Sequence, residues 1–410
     1  MPDQRGRTIR VTGTLDQYLT QTFGRETPRP GLQRVGRLYR ALMADAMPAP
    51  TNVAVAGTNG KGSTVAALNY AFRCIGLRCM AFTSPHLSDV RERITVDGQP
   101  LSEEFWVESL RQLQDISLDL GISLSYFEAV FGVAVLACKR FVPDVALWEA
   151  GLGGRLDAIN VIPVFDCVVV TSVGLDHCEI LGDTPVQIAR EKVALARRLT
   201  PLVLGDIEPT VVAELQPQLQ AQRVLTIGAD DPLPRAWLPH VSALQARLPW
   251  LTPGSARAVV WCLVALDRWQ ASDIDWSQMP DMLGRMDRRF WPWIVDVGHN
   301  PDAARNLCRA LRQQGWGELD LCFNALLRKD AQAMARELAQ GFRWRRVWIY
   351  DDGGIEFHSP RELVEPFRAI GCRVDTINDP HFFAASAEIP TVVFGSFRLA
   401  ALVMHELQEE

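Results

Sequence analysis

Short apolar runs alternate with longer amphipathic stretches along the first part of the chain. Residues 51–56, 145–148 and 167–171 are short apolar runs rich in β-branched residues, as in strands that are buried on both faces. Helical patterns separate these runs, and strands that alternate with helices predict a mostly parallel sheet. The other elements predicted here are a strand at 78–83 and helices at 12–46 (broken near Pro28 and Pro30), 63–75, 102–120, 127–141 and 255–269.

A second, smaller α/β pattern begins near residue 285. Between the two patterns, residues 206–250 carry several prolines and a weaker period, and we expect an irregular segment there. Because 410 residues exceed what one core usually spans, we predict two domains, at 1–284 and 285–410. The second pattern predicts strands at 293–297, 319–325, 347–350, 374–377 and 391–394, and helices at 302–313, 331–340, 360–370 and 397–407.

The segment Gly57-Thr-Asn-Gly-Lys-Gly-Ser63 lies between a predicted strand and a predicted helix, which is the setting of a phosphate loop. Glycines allow backbone N–H groups to turn inward around an anion, and the following helix adds its positive end. Lys61 can then reach the β- and γ-phosphates, and the Ser63 hydroxyl can bind Mg²⁺. The alternative is a glycine-rich turn with a chance lysine. The spacing differs from that of the common phosphate loop, since Gly62 separates Lys61 from Ser63.

A carboxylate and an imidazole follow two of the predicted strands. Glu149 directly follows the run at 145–148, and His177 lies six residues after the run at 167–171. The carboxyl ends of parallel strands form the ligand-binding edge of an open sheet, so we expect Glu149 to bind Mg²⁺ with His177 as its partner. Taken alone, Glu149 would be a solvated rim residue and His177 a weak candidate. The phosphate loop is what favours the metal interpretation.

Composition excludes some partners. Apolar residues make up 48% of the chain and charged residues 22%, and the net charge is −6 with no long basic run. We therefore expect no nucleic-acid or membrane partner, and no stretch approaches the ~18–20 apolar residues that cross a bilayer. The first residues lack the apolar core of a secretory signal. The nine cysteines form no Cys-x-x-Cys pair, which is typical of reduced thiols, so we expect a cytoplasmic protein. The net charge and the patterning fit a monomer.

Several segments together resemble the folylpolyglutamate/dihydrofolate synthases, within the wider Mur-ligase family. They occur in that family's order and spread over most of the chain, so the set is specific where any one segment would not be. The matching segments are 57–63, 83–87 (TSPHL), 91–93 (RER), 126–128 (YFE), 149–160 (EAGLGGRLDAIN), 171–177 (TSVGLDH), 181–182 (LG), 188–192 (IAREK), 284–285 (GR), 296–301 (DVGHNP) and 395–397 (GSF).

The resemblance implies a fold and a set of residue roles. The fold is α/β, with a phosphate-loop ATPase domain followed by a smaller Rossmann-like domain. The resemblance also implies that Lys192 is carbamylated and bridges to a second metal ion, whereas the residue pattern alone would make Glu191-Lys192 a surface ion pair. The implied roles are catalysis by Lys61, Lys192 and His299; ATP binding by Thr58, Asn59, Gly60, Lys61, Gly62, Ser63, Arg285 and Asp296; metal binding by Ser63, Glu149, His177 and Lys192; and substrate binding by Ser84, Phe127, Asp157, His299 and Ser396.

The implied activity is ATP-dependent ligation of L-glutamate to the carboxylate of a pteroate or folate through an acyl phosphate, with ATP and two Mg²⁺ ions. Two alternatives stay open: a ligase of the same family that acts on another carboxylate, and a non-catalytic nucleotide-binding homologue. Departures from the family pattern motivate the first. They are Glu-Lys-Val-Ala-Leu at 191–195, Pro-Gly-Ser-Ala at 253–256 in place of Pro-Asn-Ala-Ala, Leu-Arg-Lys-Asp at 327–330, and a short 206–250 segment.

Overall fold

Two units make up the chain in a computed structural model, which describes residues 14–24, 31–44, 50–221, 224–228, 231–266, 274–379 and 389–407. The first unit comprises Met1–Leu238 and Gly254–Asp275. The second comprises Pro239–Pro253 and Trp276–Glu410. Each unit has a sheet of its own, as the sequence predicts.

The second unit takes in more of the chain than the predicted 285–410. The Trp276 indole donates to His240 Nδ1 (3.0 Å), and Arg247 Nε donates to the Met279 carbonyl (2.7 Å). Trp250 packs against the core of the second unit. These contacts explain why the observed division differs from the one placed at 284/285: the segments on both sides of residues 254–275 pack with the second core.

The first unit is built on eight strands. They are β1 (Thr51–Ala56), β2 (Cys79–Phe82), β3 (Ile94–Val96), β4 (Gln99–Pro100), β5 (Val145–Glu149), β6 (Cys167–Ser172), β7 (Pro201–Asp206) and β8 (Leu225–Ile227). Their order in the sheet is β4-β3-β2-β5-β1-β6-β7-β8. Antiparallel pairing joins β2 to β3 and β3 to β4, and the other neighbours are parallel. The predicted mostly parallel sheet is confirmed.

Helices cover this sheet, and side-chain caps set where several of them begin. Up to residue 265 the helices of this unit are α1 (Leu15–Phe23), α2 (Gln33–Leu42), α3 (Lys61–Cys74), α4 (Glu103–Leu120), α5 (Tyr126–Phe141), α6 (Cys178–Leu181), α7 (Pro185–Val193), α8 (Pro209–Ala221) and α10 (Pro253–Ala265). The helix between the last two, α9 (Leu238–Arg247), belongs to the second unit. Ser125 and Glu128 cap α5 reciprocally, and Thr184 and Gln187 do the same for α7. Most of α5 is buried, and the ring of its Phe131 packs against Phe82 and Trp148 of the sheet.

The second unit is a five-stranded parallel sheet with flanking helices. The strands are β9 (Trp293–Asp296), β10 (Leu319–Phe323), β11 (Trp344–Tyr350), β12 (Arg373–Ile377) and β13 (Thr391–Phe394), in the order β12-β11-β10-β13-β9. The helices are α11 (Pro301–Gln313), α12 (Ala331–Gly341), α13 (Pro360–Leu363), α14 (Glu365–Arg368) and α15 (Phe397–Glu406). The single helix predicted at 360–370 is divided in two because Pro366 lacks a backbone N–H.

The segment at 206–250 is more regular than predicted. Helix α8 buries Val211, Leu215 and Leu219, whose four-residue spacing is that of one helical face. Pro217 lies inside this helix and obscures its pattern in the sequence. Among the described residues, no helix is both long and apolar enough to cross a bilayer.

Replacing Gly205 with Ala should destabilise the first unit. A Cβ at Gly205 would lie 2.2 Å from the carbonyl oxygen of Thr171, which is strand backbone and cannot move without shifting β6. We expect a loss of about 1–3 kcal/mol in the free energy of unfolding, measured by urea denaturation.

Gly36→Ala on α2 is the matched control. The nearest atoms to a Cβ there lie at 3.7 Å, so this change should be neutral or stabilising by about 0.5–1 kcal/mol, as expected for glycine replaced in a helix. Equal effects of the two substitutions would contradict the close approach of β7 to Thr171.

Candidate active site

The glycine-rich segment at 57–63 forms the turn between β1 and α3. Gly60 adopts left-handed backbone angles (φ 85°) directly before Lys61, the first residue of α3. A Cβ at Gly57 would lie 1.9 Å from Thr171 Oγ1, so the chain can pass this point only as glycine. The predicted order of strand, glycine-rich turn and helix is confirmed.

Thr58 and Asn59 are fastened to the end of β6. The Thr58 N–H donates to the Ser172 carbonyl (2.9 Å), and the Asn59 N–H donates to Ser172 Oγ (3.0 Å). Thr171 Oγ1 donates to the Asn59 carbonyl at 2.6 Å. No role was predicted for Thr171 or Ser172 from the sequence. Two hydroxyl residues at the carboxyl end of a buried strand were the available signal.

Lys61, Ser63 and Glu149 come together at the first turn of α3. Lys61 Nζ donates to two carbonyl groups of its own loop, at 3.0 and 3.3 Å. Ser63 is 2% exposed and Glu149 is 3% exposed. Glu149 Oε2 lies 3.7 Å from the position that a Cβ of Gly62 would occupy. The parallel register that pairs Val55 with Glu149 brings this carboxylate to the loop.

Two residues predicted to bind substrate lie close to the strand end that carries Glu149, and one of them bonds its carboxylate. Glu149 Oε2 accepts a hydrogen bond from the Ser84 N–H at 3.3 Å. The ring of Phe127 lies on Gly151, where a Cβ would be 2.6 Å from Phe127 Cζ. Ser84 and Phe127 are therefore both held close to the strand end that carries Glu149.

Asp157 is buried after the glycine-rich run at 151–154. Its carboxylate accepts hydrogen bonds from the N–H groups of Leu152 (2.9 Å) and Ile159 (3.1 Å). Burial raises the pKa of Asp157 to about 6, and these bonds and the charge of Lys61 act against that rise. Asp157 is thus within electrostatic range of the phosphate loop.

Lys192 is buried near the end of α7, with 3% exposure. Burial and the positive charge of Lys61 lower its pKa to about 7, while Asp176 and Glu191 act in the opposite direction. The interpretation of Glu191-Lys192 as a surface pair is therefore wrong for Lys192. At neutral pH a large fraction of this side chain is a neutral amine, which is the form that reacts with CO₂.

His177 occupies a left-handed backbone position (φ 53°) at the start of α6. Its side chain is 34% exposed and lies near two carboxylates, Asp176 (3.9 Å) and Glu179 (3.7 Å). Across the described ranges, no three His, Cys, Asp or Glu side chains are grouped as metal ligands. The predicted set of Ser63, Glu149, His177 and Lys192 contains a single carboxylate, and it stays a prediction.

In the second unit, the four predicted residues cluster where β9 and β13 end. Asp296 accepts from two backbone N–H groups (2.8 and 3.1 Å), and burial raises its pKa against the charge of Arg285. The Arg285 guanidinium and the His299 ring each lie 5.9 Å from the ring centre of Phe397. Ser396 precedes Phe397 and caps α15. Phe397, to which no role was assigned, joins these residues.

Comparison with known proteins gives consistent likenesses. No family model matches the sequence. The dihydrofolate synthase/folylpolyglutamate synthase of Haemophilus influenzae is 29% identical over 394 residues, which cover 86% of this chain and 88% of that protein. A probable bifunctional folylpolyglutamate synthase/dihydropteroate synthase of Haloferax volcanii is 32% identical over 348 residues, and the match covers 76% of this chain and 40% of that longer protein.

Solved structures agree over nearly the whole chain. The structure of E. coli FolC in complex with DHPP and ADP has a TM-score of 0.80 and 27% identity, covering 98% of this chain and 99% of that one. A bifunctional folylpolyglutamate synthase/dihydrofolate synthase with Mn, AMPPNP and L-glutamate bound has a TM-score of 0.79 and 27% identity, covering 98% and 100%.

A phosphate-loop unit followed by a parallel α/β unit is the arrangement that this chain shares with these solved structures. The curated relatives and structural neighbours of the chain are folylpolyglutamate/dihydrofolate synthases, which are enzymes of the Mur-ligase family. Its relatives in that family are ATP-dependent glutamate ligases.

Replacing Asp157 with Asn should change how stability depends on pH. The pKa of about 6 in the folded chain lies above the value of about 4 expected when unfolded, so folding favours the protonated form. As the pH falls from 7 to 4, the wild type should gain about 1.5–3 kcal/mol relative to D157N, measured by urea unfolding.

The exposed Asp119 on α4 supplies the control, and D119N should follow the wild-type profile. A difference between the wild type and D157N that stays constant with pH would show that the Asp157 pKa is not raised.

Proposed function

We propose that the chain joins L-glutamate to the carboxylate of a pteroate or folate in an ATP-dependent reaction. The observation that carries this proposal is the position of Glu149. Its carboxylate lies against the phosphate loop at Gly62 and accepts from Ser84 on the predicted substrate side. Relatives with this name, and solved structures that contain ADP and DHPP or AMPPNP, Mn and L-glutamate, support the same chemistry.

The first step joins two anions. An oxygen of the substrate carboxylate attacks the γ-phosphorus of ATP, the bond to the β-phosphate bridging oxygen breaks, and an acyl phosphate and ADP result. The charge of Lys61, the N–H groups of the loop and the positive end of α3 offset the repulsion. Lys61 Nζ bonds two carbonyls of this loop, which keeps its charge at the loop.

The second step forms the amide. The glutamate amine attacks the acyl carbon, the bond to the phosphate oxygen breaks, and the amine loses a proton as phosphate leaves. We assign His299 and Ser396 to the glutamate and the reacting phosphoryl group, and Arg285 and Asp296 to the nucleotide. Their clustering in the second unit supports this assignment.

The residues of the first unit suit magnesium. The Ser63 hydroxyl and the Glu149 carboxylate are hard oxygen ligands, and both are buried at one turn. His177 and a carbamate on Lys192 would complete the sites for two ions. A bound Mg²⁺ ion neutralises charge on the phosphate oxygens.

We also propose that the enzyme acts as a monomer in the cytoplasm. All nine cysteines are free thiols, and five of them are fully buried. Burial raises the pKa of the Cys308 thiol to about 12, which disfavours the reactive thiolate. Free thiols in this number are typical of a reducing compartment.

The variant Lys61→Ala should abolish glutamate-dependent release of ADP. The wild type is supplied with ATP, glutamate and either dihydropteroate or tetrahydrofolate, and phosphate release identifies the accepted acid. Loss of Lys61 removes the cation that faces the phosphates, and we expect a decrease of at least about 100-fold in kcat/KM.

Lys139→Ala is the control, since Lys139 Nζ also donates to a backbone carbonyl (Leu42, 2.7 Å) but lies apart from the loop. It should retain turnover. Near-normal turnover in K61A would refute the assigned site. If the wild type turned over neither acid, the proposed substrate class would be wrong.

Carbamylation of Lys192 can be observed directly. With ¹³C-bicarbonate, the wild type should give a carbamate signal in ¹³C NMR that Lys192→Ala lacks and Lys139→Ala retains. The amine has a lowered pKa of about 7, so its neutral form and the carbamate signal should increase as the pH rises through 7. A spectrum unchanged by K192A would contradict the carbamate.

A further inference from the structure

The first turn of α10 packs behind the phosphate loop. Ser255 is 2% exposed, and its Oγ lies 3.5 Å from the position that a Cβ of Gly60 would occupy. The same hydroxyl donates to the Thr171 carbonyl at 3.2 Å. Thr171 in turn donates through Oγ1 to the Asn59 carbonyl at 2.6 Å. Ser255 therefore lies beside the loop at Gly60. It also bonds Thr171, the strand residue whose hydroxyl holds the loop at Asn59.

Asp206, at the end of β7, fixes this first turn. Its Oδ2 accepts from the Ser255 N–H (2.9 Å) and from Ser255 Oγ (3.2 Å), and its Oδ1 accepts from the Gly254 N–H (3.1 Å). A carboxylate that accepts these N–H groups stabilises the amino end of a helix of 13 residues. The single O–H proton of Ser255 is shared between Asp206 Oδ2 and the Thr171 carbonyl, and the backbone bonds to Asp206 fix the position of Ser255 beside the loop.

Gly254 is what makes room for Asp206. A Cβ at Gly254 would lie 2.5 Å from Asp206 Oδ1 and 2.9 Å from the Asp206 backbone nitrogen. The glycine at position 254 is therefore part of the same arrangement. The glycine in the departure Pro-Gly-Ser-Ala at 253–256 is therefore explained by the space that the Asp206 carboxylate needs.

We infer that Ser255, held by Asp206, is a positioning residue for the phosphate loop and sets its affinity for Mg·ATP. Neither side chain has to touch the nucleotide. A glycine-rich loop loses much conformational freedom when it closes on an anion, and bonds that hold it beforehand reduce that loss. Ser255 bonds the carbonyl of Thr171 and lies beside Gly60, so we expect its removal to loosen the loop.

Ser255→Ala tests the inference by calorimetric titration with Mg·ATP, without acid or glutamate. Removing one hydroxyl should weaken binding about threefold to tenfold, the usual worth of one hydrogen bond. Ser117→Ala is the matched control, because Ser117 is also buried on a helix and donates to a carbonyl (Leu113, 2.6 Å). S117A should bind Mg·ATP as the wild type does.

Turnover separates positioning from general loss of structure. In S255A the KM for ATP should rise by a similar factor, while kcat and the KM for the acid stay within twofold of the wild-type values. Thr171→Val should weaken Mg·ATP binding, and Thr171→Ser, which keeps the hydroxyl, should restore it. The effects of S255A and T171V should be non-additive because both residues hold one loop.

A Kd for Mg·ATP in S255A within twofold of the wild type would overturn the inference, as would equal weakening in S117A. The inference rests on the proposed function for the identity of the nucleotide. Binding is measured without turnover, so the two fail separately. If the wild-type protein binds Mg·ATP but releases no ADP with either acid, the proposed reaction is wrong. The comparison of Mg·ATP binding between the wild type and S255A stays valid in that case.

Discussion

The close contact between the phosphate loop and the carboxyl end of β6 is the constraint on which the candidate active site depends. Gly57 passes the Thr171 side chain with no space for a Cβ, and the hydroxyl groups of Thr171 and Ser172 bond the backbone of Asn59. A phosphate loop binds through backbone N–H groups, so its shape matters more than its side chains. The parallel pairing of β1 with β5 then brings Glu149 to the same turn, because Glu149 pairs with Val55 near the end of β1.

Burial gives this site its electrostatic character. Lys192 and Asp157 are both removed from water, and their pKa values move in opposite directions, to about 7 and about 6. Both shifts favour the neutral form, so near pH 7 a large fraction of Lys192 and a smaller fraction of Asp157 carry no charge. Both shifts reduce the cost of burying these groups before ligands bind. The lowered pKa also leaves Lys192 in the form from which a carbamate can be made.

The sequence was sufficient for the features that depend on local pattern. Buried strands at 51–56, 145–149 and 167–172, the loop with Lys61 and Ser63, and the second parallel sheet all follow from apolar runs and glycine spacing. Contacts between distant segments could not be predicted. Nothing in the sequence around Asp206 indicates that it caps a helix that begins at Pro253. Nor does the sequence assign residues 239–253 to the second unit, which the hydrogen bond between Trp276 and His240 reveals. The regular helix α8 was missed because Pro217 interrupts its pattern.

In the proposed reaction, binding of nucleotide and choice of acid depend on different kinds of structure in this chain. The loop at 57–63 is held by backbone bonds, by Gly57, where there is no room for a Cβ, and by Gly60, which has left-handed backbone angles. The residues that we propose for the acid side, Ser84, Phe127 and Asp157, come from three separate segments, and Phe127 is the second residue of α5. Ser84 bonds Glu149, and Asp157 feels the charge of Lys61. Under this proposal, changes in those segments alter which carboxylate is accepted and leave the phosphate chemistry intact. The departure at 253–256 places Ser255 beside the phosphate loop at Gly60, so it bears on the support of the loop more than on the identity of the acid.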